Sequence, residues 1–334
     1  MAVGNKHDLS LLLAVWLVDD NYDHNAGAGQ GKPYISVTTL MKPVKQIILG
    51  DRARKAGAQE EDVEDYISRA LGHTVHDGIE KAWLLGYRKN LLRLGYPEHV
   101  VDLVRINPTD EDREAMPDMI PVFLEQRGFR EINGYVIGGK YDAVCDGRVE
   151  DNKSTTAYSW TAGTRDEDYQ LQGSLYNWID KARPMPHIHQ SYMRVNFIFT
   201  DWQKFMAKAN PEYPQLRVLH KDIPLLSIPD TEMFVRAKIH SIDKFKDAAE
   251  SAMPACTDEE LWRSKPQYKY YSDPEKAKDP NARSTKNFDS LVEANQYLAE
   301  KVKGIVITKP GEVKRCPYCP AYEICEQRRL YFND

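Results

Sequence analysis

Cysteine is scarce in this chain and absent from its first 144 positions: there are five in 334 residues, three of them between 316 and 325. An odd number so unevenly placed does not fit a secreted disulfide framework, and a chain of this length buries a core without staples. Long apolar runs are missing too. The best is LLLAVWLV, Leu11 to Val18, eight residues where a membrane span needs about 20. It leads into Asp19 and Asp20 rather than a small-residue cleavage site, so it reads as a core element and not a signal peptide, and a cytoplasmic location is expected. Nor is there an excess of positive charge: 45 basic against 50 acidic residues leave a net charge of -5, which excludes a histone-like coat on nucleic acid but not a local basic groove. No internal repeat is found. With 42% apolar, 10% aromatic and 28% charged residues the composition is that of a globular protein.

The expected organisation is α/β. Tyr22 to Pro33 reads as a loop, and ISVTTLMKPV as an extended piece entering a helix capped by Ser36 or Thr38. From Glu60 to Leu94 apolar residues recur at helical spacing (Val63, Ile67, Ala70, Leu71, Val75, Ile79, Ala82, Trp83), with Gly72 as a possible break and Glu60, Glu61, Asp62, Glu64 and Asp65 in the first turns, where the helix dipole favours acids. From Phe129 the texture becomes strand-like, with YVIGGKYDAV and RVEDNKS joined by a turn at Asp146-Gly147. DEDYQLQGSLYNWID is helical, HQSYMRVNFIFT and LRVLHKDIPLL are strands, and a helix follows from Thr231 to about Ala252. Ser264 to Ser284 reads as an extended polar excursion, followed by a helix over Ser290 to Lys303 and a strand at GIVIT.

The chemistry concentrates in GGKYDAVCDGRVEDNKS, residues 138–154. Asp142 stands on one strand of the hairpin and Asp151 and Lys153 on the next. Period-2 geometry puts Asp151 and Lys153 on one face, with the Asn152 carbonyl between them. Two carboxylates and a carbonyl make a hard oxygen site suited to Mg²⁺ or Mn²⁺, and a lysine beside such a metal can orient or deprotonate water and stabilise charge developing on a phosphodiester. An isolated D-x-K is more often a solvated hairpin with a surface ion pair.

Other elements accompany it. In LGHTVHDGIEKAW, His76 lies on a helix with Glu80 four residues on; a third, nitrogen ligand or a water-positioning group is one reading and a satisfied core histidine the other, while His73 is a nearby decoy. Gln172 and Tyr176 lie at i and i+4 of the helix after the hairpin, placed to face phosphate or to cap the core. Cys316 and Cys319 have C-x2-C spacing, Cys325 follows six positions on, and Cys256 lies far upstream; Cys145 reads as a small core residue.

The ordered set G-x3-H, G-x-x-D, D-x-K, Q-x3-Y and C-x2-C-x5-C resembles the RecB-like branch of the PD-(D/E)XK nucleases, with similarity to phage exonucleases and to CRISPR-associated and AddB-type nuclease domains, from about residue 35 to Cys325. The resemblance implies a restriction-endonuclease-like core, a central mixed sheet flanked by helices, in a single nuclease domain 1–334 made of an N-terminal helical part (1–128), a catalytic α/β core (129–252) and a cysteine-clipped segment (253–334). It implies that Asp142, Asp151, the Asn152 carbonyl and His76 hold Mg²⁺ or Mn²⁺, that Lys153 assists the attacking water, and that Gln172 and Tyr176 order the site and contact DNA. Relatives with an iron-sulfur cluster carry one cysteine before the histidine motif, where this chain has none. Cys256 is the candidate fourth ligand with Cys316, Cys319 and Cys325, for [4Fe-4S] or Zn²⁺. The implied activity is exonucleolytic hydrolysis of linear duplex or single-stranded DNA ends, alongside a recombination partner protein, in the host cytoplasm if phage-encoded; an inactive DNA-binding accessory protein and a structure-specific endonuclease are the alternatives. Lys42, Lys45, Arg52, Arg54 and Lys55 against the single Asp51, with Arg88 and Lys89 further on, are the candidate DNA contacts.

Overall fold

The computed structural model describes residues 3–19, 31–57, 62–163, 165–279 and 281–332. Most of the expected loop at Tyr22 to Pro33, and Glu60 and Glu61 of the expected acidic helix start, lie outside them. The chain falls into two compact units, Met1–Lys42 with Glu60–Ser241, and Pro43–Gln59 with Ile242–Asp334.

The first unit begins with α1 (Leu11–Val18), β1 (Tyr34–Ser36) and α2 (Val37–Leu40). Ser36, not Thr38, caps α2, its hydroxyl accepting the Thr39 N–H at 3.1 Å. The segment α3 (Val44–Lys55) belongs to the second unit. The 27-residue α4 (Ile67–Arg93) runs through Gly72 unbroken, behind a 3₁₀ turn that Asp62 and Asp65 close with a reciprocal capping box. After α5 (Glu98–Val101), β2 (Val104–Ile106) and α6 (Asp110–Ala115) come β3 (Ile120–Ile132), β4 (Tyr135–Cys145) and β5 (Arg148–Thr155). Then follow α7 (Ala157–Ala162), α8 (Asp166–Asp180), β6 (Tyr192–Phe199), α9 (Lys204–Ala209), β7 (Val218–Pro224) and α10 (Ile228–Phe245).

Seven strands form one mixed sheet in the order β2-β3-β4-β5-β6-β7, with β1 also on β4, and helices flank it. The pairs β2·β3, β1·β4 and β5·β6 are parallel and the others antiparallel. Strand β3 starts at Ile120, upstream of the expected first strand, and crosses the expected part boundary at 128/129. The expected N-terminal helical part therefore also supplies β1, β2 and most of β3.

Two tight turns set the register around the site. Asn133-Gly134 (φ 48° and 80°) and Asp146-Gly147 (φ 51° and 69°) both take positive φ, as two-residue hairpin loops matching the strand twist require. They align Ile132 with Tyr135 and Cys145 with Arg148. Counting back, Glu125 stands opposite Asp142 and Asp142 opposite Asp151. One edge of β4 is shared, with β1 pairing at 136–138 and β5 at 143–145, so the stretch between them has no strand partner on that edge. That opening holds the site, as ligand sites in α/β sheets commonly lie where strand connectivity changes.

The helix α1 joins the core along one face only. Ala14 and Leu17 are buried, against Val63 and Ala70, while Leu11 and Leu12 are 77% and 83% exposed. Among the described residues no helix is long and apolar enough to cross a membrane.

In the second unit, the stretch expected to be an extended excursion is folded. Strands β8 (Gln267–Tyr271), β9 (Lys286–Phe288) and β10 (Ile305–Lys309) make an antiparallel sheet in the order β10-β8-β9. Helix α11 (Leu291–Lys301) packs on it through Tyr297, whose ring meets Tyr270 and Phe288 at 5.1 and 5.3 Å. Alternation over strands of three to five residues is too short to register as periodicity in the sequence.

Candidate functional site: a His, Asp and Lys cluster on the sheet, and a four-thiol cavity

Helix α4 lays His76 over the opening beside β4. Its Nδ1 is 3.2 Å from Asp142 Oδ2 and its Nε2 is 2.9 Å from the Asn152 carbonyl. The Asn152 N–H donates to the same Asp142 oxygen at 3.0 Å, so a side chain occupies the place of a ladder bond between β4 and β5. Asp151 is buried, 3% exposed, and ion-paired at 2.7 Å with Lys153. Across β5 the side chains of Glu150 and Asn152 point the other way, both accepting from the Asn196 amide at 3.1 and 3.2 Å. The expected division of faces on this strand therefore holds.

Both partners of His76 are acceptors, so with Asp142 ionised both ring nitrogens must donate and the ring is an imidazolium. The Asp142 hydrogen bond raises the His76 pKa above the ordinary imidazole value, against burial. Burial works to raise Asp142, but the His76 bond and the Lys153 charge hold it below the usual carboxylate range. Burial pushes Asp151 up. Lys153 is disfavoured by burial and still held above its ordinary value by Asp151 and Asp142. Two cations and two anions thus balance in the metal-free protein. A base whose folded pKa exceeds its unfolded one adds stability that is complete below the unfolded value and is lost as pH rises through the folded one. With chelator present, the melting-temperature difference between the wild type and His76→Gln is expected to be largest near about pH 6 and to shrink toward about pH 9. A difference independent of pH would count against the imidazolium bridge.

The donor set fits a hard divalent cation. The Asp142 carboxylate, the Asn152 carbonyl and the His76 imidazole already converge within hydrogen-bond distance, and a metal replacing the bridging protons would draw on these three; the acidic and imidazole groups whose ligand atoms lie within 4.8 Å of one another are His76, Glu125 and Asp142, without Asp151. Glu125 joins them, since its carboxylate lies within 4.8 Å of the ligand atoms of His76 and Asp142. It is half-buried, takes φ 52°, pairs with Lys140, and burial raises its pKa. Sequence reading missed Glu125, although Asn133-Gly134 is a hairpin signal from which its place opposite Asp142 can be counted.

Gln172 donates to the Tyr176 hydroxyl at 3.1 Å, and the Tyr176 ring lies over Gly139 of β4, where an added Cβ would come within 2.7 Å of it. The α8 residue beside the site is Tyr169, with Lys153 Nζ 6.0 Å from its ring centroid. His73 is exposed.

The basic candidates divide. Lys45 is buried against Glu250, and Arg52 donates to the carbonyls of Lys246 and Ala248 at 2.8 and 2.7 Å, so both serve packing rather than an open basic surface. Arg54 and Lys55 are exposed and share Asp51 at 3.7 and 2.7 Å. Arg88 is held by Glu98 and Asp102. Lys89 is exposed and Lys42 half-buried.

Cys256, Cys316, Cys319 and Cys325 line one cavity of the second unit, although 60 residues separate the first two. All are free thiols. Burial and Glu260 push Cys256 up to about 12, and burial likewise raises Cys316 and Cys325. Among the described residues no three of these sulfurs lie within 4.8 Å of one another. Cys145, on β4 among Val104, Val122 and Leu124, packs as a core residue.

No family model and no curated protein matches the chain. Among solved structures it is similar to the crystal structure of SSO0001, at 16% identity over 69% of this chain and 84% of that one, with a TM-score of 0.38.

Proposed function

We propose that this protein is a Mg²⁺- or Mn²⁺-dependent deoxyribonuclease of the RecB-like type, with a restriction-endonuclease-like core, acting as an exonuclease on DNA ends in recombination or end processing. The observation that carries this reading is the convergence of His76, Asp142 and the Asn152 carbonyl, from one helix and two strands, at an opening in the sheet, with the Asp151–Lys153 ion pair on the same strand as Asn152. The metal would supply Lewis acidity and a lowered water pKa. Asp142 and Asp151 hold negative charge at the opening, and Lys153, fixed by Asp151, places a cation where charge develops on phosphate. Glu125 adds a third carboxylate. In the second unit the four-thiol cavity is read as the seat of a [4Fe-4S] cluster, because four cysteines line it together.

The test is digestion of end-labelled linear DNA and a covalently closed circle with Mg²⁺ or Mn²⁺ and with EDTA. Metal-dependent loss of the linear substrate with the circle intact is expected. Cutting of the circle would make the enzyme an endonuclease, and no digestion under any metal would leave a DNA-binding accessory protein.

A further inference from the structure

Lys45 lies in a basic stretch of the sequence, yet it is 7% exposed and lines the same cavity as the four cysteines. A buried ammonium is costly unless anions surround it. The carboxylate it meets is Glu250, 3.5 Å away, longer than the roughly 2.7–2.9 Å of a well-made charge-assisted bond. Glu250 is itself committed elsewhere: it accepts the N–H groups of Glu326 and Gln327 at 3.0 and 3.3 Å and approaches Cys325 Sγ at 3.5 Å. Lys45 thus has a long ion pair to a shared carboxylate and lines the cavity together with the thiols. The cavity is also braced without any cluster. The Gln327 side chain accepts the Cys256 N–H at 2.9 Å and donates to the Cys256 carbonyl at 3.0 Å, tying the distant cysteine to the C-terminal three.

We propose that Lys45 is the built-in counter-ion of the cluster, its ammonium shared between Glu250 and the four cysteine sulfurs, so that it governs how firmly the cluster is held and how readily it is reduced. The inference rests on the iron-sulfur reading of this cavity. Four thiolates on an oxidised [4Fe-4S] core carry a net charge of about −2, and uptake of one electron makes it about −3, so a fixed cation favours both the bound and the reduced states. Removing Lys45 and removing the charge of Glu250 should then act in opposite directions, which a merely structural role does not predict.

The experiment compares wild type, Lys45→Met, Lys45→Arg and Glu250→Gln, purified anaerobically, by iron and sulfide content, loss of visible absorbance in air, and the midpoint of a dithionite titration. Lys45→Met is expected to lower the midpoint and to lose the cluster about tenfold faster. Lys45→Arg should restore both, and Glu250→Gln should raise the midpoint. Wild-type midpoint and decay in Lys45→Met, with an unchanged circular-dichroism spectrum, would overturn the proposal. Should Lys45→Met not fold, an unchanged or lowered midpoint in Glu250→Gln would overturn it. Wild type free of iron and sulfide would instead overturn the cluster reading itself.

Discussion

Asp142→Asn is expected to reduce Mg²⁺-dependent degradation of linear DNA by about 1000-fold or more while leaving DNA binding in EDTA within about twofold of wild type. Asp142 is the hub of the site, one oxygen engaging both His76 at 3.2 Å and the Asn152 N–H at 3.0 Å. The amide is nearly isosteric and its oxygen can keep the Asn152 bond, so the backbone at the opening should persist. What disappears is the formal charge that attracts a divalent cation and sustains the His76 imidazolium. A gel-based nuclease assay paired with filter binding measures both quantities. Retention of wild-type digestion would remove Asp142 from the metal site and end the nuclease reading in its present form.

Trp178→Ala is expected to destabilise the protein by about 3–5 kcal/mol, among the largest costs available to a single side chain. Trp178 is fully buried on α8, its indole N–H donates to Glu232 at 3.2 Å, and the Arg130 guanidinium lies 4.3 Å over its ring. Deleting it leaves a cavity and strips Glu232 and Arg130 of a shared partner. Tyr169, Leu175, Tyr176 and Ile179, all buried on α8, depend on the same seating, so activity should fall along with the melting temperature. Urea unfolding measures the cost; a change below about 1 kcal/mol would show that the α8 interface repacks around the loss.

Much of the site was legible because hairpins are local. Asp146-Gly147 fixes which residues of β4 and β5 face one another, and period-2 alternation then separates Asp151 and Lys153 from Glu150. The same rule applied to Asn133-Gly134 places Glu125 opposite Asp142; that neighbour was readable but unread. Two features were misread. Leu11 to Val18 has the composition of a wholly buried helix, but only Ala14 and Leu17 are buried. Lys45 and Arg52 look like a basic surface until their contacts with Glu250 and the chain after α10 are seen.

The sequence alone determined the α/β character, the turns, the strand faces and the residue types able to hold a hard cation, because each follows from local stereochemistry within a few positions. Tertiary structure decided what depends on contacts between distant segments. It set His76 of α4 against the Asn152 carbonyl, gathered Cys256 with Cys316, Cys319 and Cys325, and turned Lys45 inward to face them. Burial and register between separated elements arise from the packing of the whole chain, and no local pattern carries them.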